Sequence, residues 1–338
     1  MAARDSTETV NPVLAEIWRG PVLESVHRGT AIVCRPSGEV IAAWGDPERV
    51  ILPRSACKML QALPLVESGA AAGLGSQHLA IACASHQGAE IHSSLVGRWL
   101  AELGLGEGDL RCGPQLPNDG DARHALRIAG HAPDQTHNNC SGKHCGFLTL
   151  GAHLGAGPDY IDPAHPVQES VRLALSEMAQ EDLTQHAIDG CSAPNYAMTI
   201  RGLATAAARF AMPATLGPTR GAAAERLAEA MVANPMLVAG AGRACTDLIT
   251  ACAGRAVVKT GAEGVFVGIL REAGLGIAIK CDDGAGRGSE AAIAALLTRF
   301  GALEPGHPSH ARYADTPLTN RRGIVHGHLR AGPALSAR

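Results

Sequence analysis

The spacing of apolar residues changes along the chain and predicts strands near both ends with helices between them. Residues 30–34 and 39–44 are rich in β-branched and apolar residues and flank the turn Pro36-Ser37-Gly38, a pattern that predicts a hairpin. The last third returns to short apolar runs separated by glycine turns, at 256–259, 264–270 and 276–281, with a further strand at 323–330.

Helical spacing dominates the middle of the chain. Residues Ser55 to Ser68 predict a helix with Ser55 near its start, which Pro64 kinks or ends early. Apolar residues at intervals of three and four predict further helices at 88–103, 142–154, 163–179, 199–210, 220–233, 243–252 and 288–300.

These patterns predict an α/β protein of the α+β type, in which one antiparallel sheet is built from both chain ends and a helical lobe is inserted. We expect a disordered polar tail at 1–13 and a single domain at 14–330. Its sheet lobe comprises about 20–50 and 255–330, and its helical lobe about 55–254. A cleft between the two lobes is where a site would form.

Composition excludes several classes of protein. The formal charge is −3 and no Lys/Arg cluster is present, so no nucleic-acid partner is expected. No apolar run approaches the roughly 20 residues of a membrane span. The polar start has no apolar segment of a secretory signal, and ten scattered cysteines then indicate free thiols in a reducing compartment. We expect a cytoplasmic protein without membrane contact.

Lysine is rare in this chain, with four lysines against twenty-five arginines. A codon bias accounts for the arginines but not for the positions of the remaining lysines. Lys58, Lys143 and Lys259 each lie in a dense polar segment. Because a buried lysine can lose its proton whereas an arginine cannot, these lysines are candidates for chemistry.

Ser55 and Lys58 are three residues apart, which places both side chains on one face of a helix. A serine hydroxyl becomes a good nucleophile when a neighbouring base takes its proton. Lys259-Thr260-Gly261 follows a strand-like segment, and serine β-lactamases combine Ser-x-x-Lys on a helix with Lys-Thr-Gly on a facing strand. Their Ser-Asp-Asn element is absent here, which argues against a true β-lactamase.

Two further segments carry polar residues in turns. In Cys83-Ala84-Ser85-His86, Ser85 is either a helix cap or a second hydroxyl paired with Lys259. Cys140 and Cys191 lie in polar turns, where two thiolates with Lys143 or His144 can hold zinc. No Cys-x-x-Cys occurs, so turn cysteines without a ligand are the simpler interpretation of the spacing alone.

Together these motifs resemble the class 3, rhizobial-type L-asparaginases over about residues 23–300. The matching strings are Glu24-Ser25-x-His27-Arg28, Arg54-Ser55-Ala56-Cys57-Lys58, Cys83-Ala84-Ser85-His86, Asn139-Cys140-Ser141-Gly142-Lys143-His144, Asp189-Gly190-Cys191 and the turn at Lys259. The resemblance implies a fold similar to that of serine β-lactamases and serine glutaminases. It also implies hydrolysis of L-asparagine to L-aspartate and ammonia by a homodimer.

The resemblance also implies roles for individual residues. Ser55 would be the nucleophile with Lys58 as its base, and Ser85 and Lys259 would form a second Ser–Lys pair. Zinc would tune substrate binding, and the asparagine's charged ends would be held by a separate set of residues. The implied zinc ligands are Cys140, Lys143 and Cys191, and the implied substrate-binding residues are Arg54, His144 and Asp189.

Three hypotheses remain open from the sequence. The first is an asparaginase in which the charge of Lys259 keeps Lys58 partly neutral, so that Lys58 takes the proton of Ser55. In an alternative form of this mechanism, a water molecule attacks the substrate directly. The second is a glutaminase or β-lactam-type acyl hydrolase on the same scaffold. The third is a non-catalytic amino-acid-binding protein, which has no need of an activated nucleophile.

Overall fold

The computed structural model of the protein describes residues 10–336. Within this part of the chain the strands are β1 Val13–Arg19, β2 Val22–Cys34, β3 Val40–Trp44, β4 Val50–Ile51, β5 His186–Ile188, β6 Pro194–Tyr196, β7 Met198–Thr199, β8 Ala256–Thr260, β9 Val265–Leu270, β10 Leu275–Cys281, β11 Asp315–Thr319 and β12 Val325–Ala331.

The helices of residues 10–336 lie mostly between β4 and β8. They are α1 Lys58–Gln61, α2 Leu63–Glu67, α3 Ser76–Ala82, α4 Glu90–Glu102, α5 Gly120–Ala129, α6 Ser141–His153, α7 Pro166–Ala179, α8 Ile200–Ala211, α9 Pro218–Ala233, α10 Pro235–Val238, α11 Ala244–Cys252, α12 Gly286–Arg299, α13 Pro308–Ala314 and α14 Pro333–Ser336. None of them combines the length and apolar character that crossing a bilayer requires.

The main sheet has eight strands and is antiparallel throughout. Its order is β11-β12-β1-β2-β10-β9-β8, and β3 pairs with β2. Strands from the first 44 residues therefore lie between strands from the last third. This confirms the predicted antiparallel sheet built from both chain ends, with the helical segment inserted between them.

The N-terminal strands begin earlier than predicted. Residues 1–9 of the predicted tail lie outside the described residues, but Val13 already begins β1. The strand predicted at 30–34 is the second half of β2, which begins at Val22. The first half of β2 exposes polar residues such as Glu24 because it pairs with β1 at the rim of the sheet.

Helices cover both faces of the central strands. A Cβ atom at Gly276 of β10 would lie 2.0 Å from the Ala204 carbonyl oxygen of α8, so the helix backbone approaches the strand directly. On the other face, a Cβ atom at Gly268 of β9 would lie 3.1 Å from the Ile293 side chain of α12. Because both faces are covered, β9 is apolar along its whole length.

The edge strand β8 brings the end of the sheet against the helical lobe. After β8, the backbone turns at Gly261, where a Cβ atom would lie 2.8 Å from the Pro53 carbonyl oxygen and 3.1 Å from the Ala56 amide nitrogen. Only glycine allows this approach without displacing the neighbouring backbone. The Lys-Thr-Gly motif therefore places the end of β8 beside the segment that carries Ser55.

Candidate active site

Ser55 lies in a short 3₁₀ turn, Arg54–Cys57, that leads directly into α1. Arg54 has φ 52°, a left-handed conformation that costs a non-glycine residue energy. The Cys57 thiol donates to the Arg54 carbonyl oxygen at 3.2 Å and helps to hold this turn. The predicted helix 55–68 is thus divided into the 3₁₀ turn, α1 and α2, with Pro64 in the first turn of α2.

Arg54 and Asp189 form an ion pair at the rim of the site. The Arg54 Nε and Nη2 atoms lie 2.9 Å and 2.7 Å from Asp189 Oδ1. The side chains keep 25% and 11% of their surface exposed, so both charges remain accessible beside Ser55. This arrangement joins the start of α1 to the turn that carries Cys191.

Lys58 is buried and points towards two other segments of the predicted site. Its Nζ donates to the Ala84 carbonyl oxygen and, at 3.2 Å, to the Asn139 carbonyl oxygen. Within the described residues, both of its hydrogen bonds therefore go to backbone carbonyls rather than to Ser55. Lys58 links the segments that carry Ser85 and Cys140.

Ser85 lies in the extended segment between α3 and α4. Its backbone N–H donates to the Val238 carbonyl oxygen at 2.9 Å, and the Gln87 N–H donates to the Ala239 carbonyl oxygen at 3.0 Å. The Ser85 side chain is buried. The helix-capping interpretation of Ser85 is not what the structure shows, because α4 begins five residues later, after Ala89.

Lys259 is fully buried in β8, with its Nζ donating to the Thr260 carbonyl oxygen at 2.8 Å. Burial, together with the positive charges of Lys58 and Arg243 and against the opposing effect of Cys245, lowers the pKa of Lys259 from 10.5 to about 7. A neutral Lys259 amine is therefore accessible near pH 7. The sequence hypothesis had placed the neutral amine at Lys58.

The two lysines and the two serines occupy one region. The charge of Lys58 acts on Lys259, and both charges act on the Cys83 thiol, whose pKa burial raises to about 12. Cys83 is two residues before Ser85, and the turn after β8 contacts the backbone on either side of Ser55. The structure thus brings three segments that are far apart along the chain into one region: the one that carries Ser55 and Lys58, the one that carries Ser85, and the end of β8 with Lys259.

A second cluster lies on the other side of Lys58. The Lys143 Nζ, on the first turn of α6, donates to the Cys191 Sγ at 3.1 Å. The interaction between the neighbouring Cys140 and Cys191 is the main cause that lowers the pKa of Cys191 and raises the pKa of Cys140, and the Cys140 thiol donates to Asn139 Oδ1 at 2.9 Å. The pair therefore holds one thiolate, at Cys191, beside the Lys143 cation.

Lys143 and His144 are both buried, but their pKa values shift in opposite directions. Burial alone would lower the pKa of Lys143, but the charges of Cys191 and Cys140 raise it overall. Burial lowers the pKa of His144 to about 4, so its ring is neutral. His144 Nδ1 lies 2.9 Å from the Tyr160 hydroxyl, and the ring is fully buried behind the cysteines.

The thiol cluster has donor chemistry that suits zinc. Two thiolate sulfurs are ligands that Zn²⁺ accepts, whereas Lys143 could join them only as a neutral amine; His144 Nε2 is a buried atom without a hydrogen-bond partner in the described structure. Among residues 10–336, no group of three or more His, Cys, Asp or Glu side chains converges as a metal site. The predicted ligand set contains only two such residues, Cys140 and Cys191, together with Lys143.

Some residues of this region had no signal in the sequence. Cys245 accepts the Thr260 N–H at 3.2 Å, and Tyr160 supports His144, yet neither lies in a motif. Gly142 lies inside one of the sequence motifs, and the reason why glycine occupies this position is steric. A Cβ atom there would lie 2.3 Å from the Ile81 carbonyl oxygen, so glycine lets α6 pack against α3.

The segments that carry Ser55 and Ser85 thus lie in the same region as a buried amine, that of Lys259, whose pKa is lowered to about 7. The profile of the family described as L-asparaginase II matches residues 15–331. The chain belongs to this family, the class 3 L-asparaginases, which is a family of amidohydrolases. No curated protein matches the chain.

Several solved structures are similar to this chain at low identity. Mglu in its tris and glutamate form is 16% identical, with a TM-score of 0.45 over 88% of this chain and 65% of that chain. A beta-lactamase from Mycobacterium bovis is 16% identical, with a TM-score of 0.43 over 80% of this chain and 94% of that chain. A putative beta-lactamase from Bacteroides dorei is 11% identical, with a TM-score of 0.41 over 75% of this chain and 84% of that chain. The match thus spans 65% of the length of the Mglu chain.

Proposed function

We propose that this chain is an amidohydrolase that hydrolyses L-asparagine to L-aspartate and ammonia. The observation that carries the proposal is the buried amine of Lys259, whose pKa burial lowers to about 7, beside the segments that hold Ser55 and Ser85. Such an amine can accept a proton at neutral pH, which a solvated lysine cannot. A binding protein has no need of this arrangement.

In the proposed reaction, Ser55 Oγ attacks the side-chain amide carbon of asparagine while its proton passes to a neutral lysine amine. We assign this amine to Lys259, directly or through Ser85. Lys58, held by two backbone carbonyls, positions the segments of Ser85 and Cys140. Backbone N–H groups at the Ser55 turn would stabilise the oxyanion.

Collapse of the tetrahedral intermediate breaks the carbon–nitrogen bond and leaves an ester on Ser55. The departing nitrogen takes the proton from the lysine and leaves as ammonia. Water then attacks the ester carbon and gives a proton to the same amine, which passes it to Ser55 Oγ as the ester bond breaks and aspartate leaves. The accessible Arg54 and Asp189 are the residues proposed to hold the carboxylate and amino group of the substrate.

Cys140, Lys143 and Cys191 are proposed as the ligands of a zinc ion. The ion would contribute positive charge that favours substrate binding. His144 is fully buried, so its predicted contact with the substrate stays a prediction. The homodimer and the cytoplasmic location also remain predictions.

The nucleophile is tested with Ser55→Ala. We expect ammonia release from asparagine to fall by at least about 10³-fold, because the ester cannot form. Ser170→Ala, which changes a serine on α7, should retain the wild-type rate. A Ser55→Ala variant with a near-native rate would assign the attack to water, and mass spectrometry of the quenched wild-type enzyme would then show no aspartyl adduct.

The substrate is tested with asparagine, glutamine and a chromogenic β-lactam on the same enzyme. Preferential ammonia release from asparagine is the expected result. Faster release from glutamine would indicate a glutaminase, and ring opening would indicate an acyl hydrolase of the β-lactam type. Retention of asparagine without ammonia release would indicate the non-catalytic binder.

A further inference from the structure

His86 follows Ser85 and lies at the boundary between the Ser–Lys region and the thiol cluster. Its side chain is buried. The His86 backbone N–H donates to the Asn139 carbonyl oxygen at 3.2 Å. Its ring nitrogen Nε2 lies 3.0 Å from Ser141 Oγ, at the start of α6. The proposed mechanism gives His86 no role, although it lies in one of the sequence motifs.

The hydrogen bonds around the ring define its tautomer. The Gly88 N–H can only donate, and it donates to His86 Nδ1 at 3.2 Å, so Nδ1 carries no proton. The Ser141 hydroxyl donates to the Thr136 carbonyl oxygen at 2.9 Å, so its oxygen accepts the His86 Nε2–H. A neutral ring with its proton on Nε2 satisfies every one of these groups.

The segment of Ser85 is therefore held from two sides. On one side, the Ser85 and Gln87 backbone N–H groups donate to the segment of Val238 and Ala239. On the other side, the His86 ring is bonded to Ser141, which lies between Cys140 and Lys143 in the chain. The bond from His86 Nε2 to Ser141 ties this segment to α6 itself, beside the hydrogen bonds of the His86 N–H and of Lys58 that tie it to Asn139 just before α6.

We propose that His86 is a positioning residue that couples Ser85 to the first turn of α6 through its Nε2–H···Ser141 hydrogen bond. The proposal rests on the proposed function for its effect on the rate, but the coupling itself is a property of the fold. Loosening this bond displaces Ser85 relative to the bound substrate. A displacement of about 1 Å near the reacting groups costs roughly 10²-fold in rate.

Ser141→Ala removes the acceptor and keeps the imidazole. We expect kcat for asparagine to fall by about 10–100-fold, with KM within about twofold, because Arg54 and Asp189 still bind the substrate. Ser141→Thr keeps the hydroxyl and should restore most of kcat. His86→Gln, whose amide can still donate to Ser141, should retain more activity than His86→Phe.

His92 provides the matched control. Its ring stacks on His86 with centroids 4.7 Å apart, and it is equally buried, but its Nε2 meets the Met236 carbonyl oxygen instead of α6. His92→Phe should leave kcat per folded molecule unchanged. An equal loss of kcat in His92→Phe and Ser141→Ala would assign His86 to general packing and overturn the inference.

Two measurements need no turnover and separate this inference from the proposed function. Nitrogen-15 spectra of histidine-labelled protein should show His86 protonated at Nε2 only, and hydrogen exchange at residues 85–87 should become faster in Ser141→Ala than in wild type. A proton on Nδ1, or unchanged exchange, would overturn the inference. If wild type released no ammonia from any amide, the proposed function alone would fail.

Discussion

The two halves of the site each contain a fully or almost fully buried lysine, and these lysines differ in charge. Lys259 lies near Lys58 and Arg243, and burial together with these cations lowers its pKa to about 7. Lys143 lies against Cys191 and Cys140, whose charges outweigh burial and raise its pKa. Burial thus lowers the pKa of both lysines, and the charges of the two cysteines reverse this effect for Lys143.

This difference separates two kinds of chemistry within one crevice. A neutral amine beside hydroxyl groups can accept a proton. A cation beside thiols instead stabilises a thiolate, and a metal ion can replace that cation beside the thiolate. Lys58 lies between the two halves, bonded to the carbonyls of Ala84 and Asn139. Its charge helps keep Lys259 neutral and favours ionisation of Cys140.

Exchanging each lysine for arginine gives the sharpest test of this comparison. Lys259→Arg should lower kcat/KM for asparagine by about 10²–10⁴-fold, because a guanidinium cannot accept the serine proton at neutral pH. Lys143→Arg keeps a cation beside the thiols and should retain most of kcat. The measurement is ammonia release with each purified variant, and Lys280→Arg serves as the control outside the site. A Lys259→Arg variant as active as wild type would remove Lys259 as the base.

Stability should respond with opposite signs to the loss of the two lysines. Lys259 has a folded pKa of about 7, below its ordinary value of 10.5, so its burial costs stability below pH 7 and this cost is relieved as the pH rises towards 10.5. Lys259→Met should thus raise the free energy of unfolding at pH 7 by about 1–4 kcal/mol, and by less at higher pH.

Lys143→Met should instead lower the free energy of unfolding of metal-free protein by about 3–5 kcal/mol, since it leaves the Cys191 thiolate without its cation. Urea unfolding of both variants and wild type at neutral and alkaline pH measures the two effects. If both substitutions changed the free energy of unfolding in the same direction, the environments of Lys259 and Lys143 would be equivalent and the difference between the two lysines would be refuted.

The sequence carried much of the fold because the apolar runs of β8, β9 and β10 and the helical spacing of α4 and α6–α9 are strong signals. The sequence did not predict the elements whose side chains are buried on one side only or not at all. The first half of β2 has mostly exposed side chains and shows no apolar run, and α5, which follows the Asp119 cap, is a short amphipathic helix without a buried residue. Tertiary pairing, rather than local pattern, forms the first half of β2.

For the site, the scarcity of lysine pointed to Lys58, Lys143 and Lys259, and the structure places all three together. Their protonation was not predictable from the motifs. The pKa of Lys259, for example, depends in part on Arg243 and Cys245, which lie outside every motif. Such neighbours have no signature in the motifs, so the lowered pKa of Lys259 could not be predicted from the sequence.

The pH dependence of the reaction gives the smallest effect that still distinguishes the two lysines. If Lys259 is the base, kcat/KM should fall about tenfold for each pH unit below about 7, because the protonated amine cannot take the serine proton. The Lys143 cation lies beside the thiolate and should add no acid limb in this range. His144, with a pKa of about 4, cannot produce a limb near 7 either. Ammonia release measured from about pH 5 to 9 tests this prediction, since kcat/KM reports the free enzyme. A limb near 4, or a flat profile, would exclude Lys259 as the titrating group and leave the two buried lysines chemically alike.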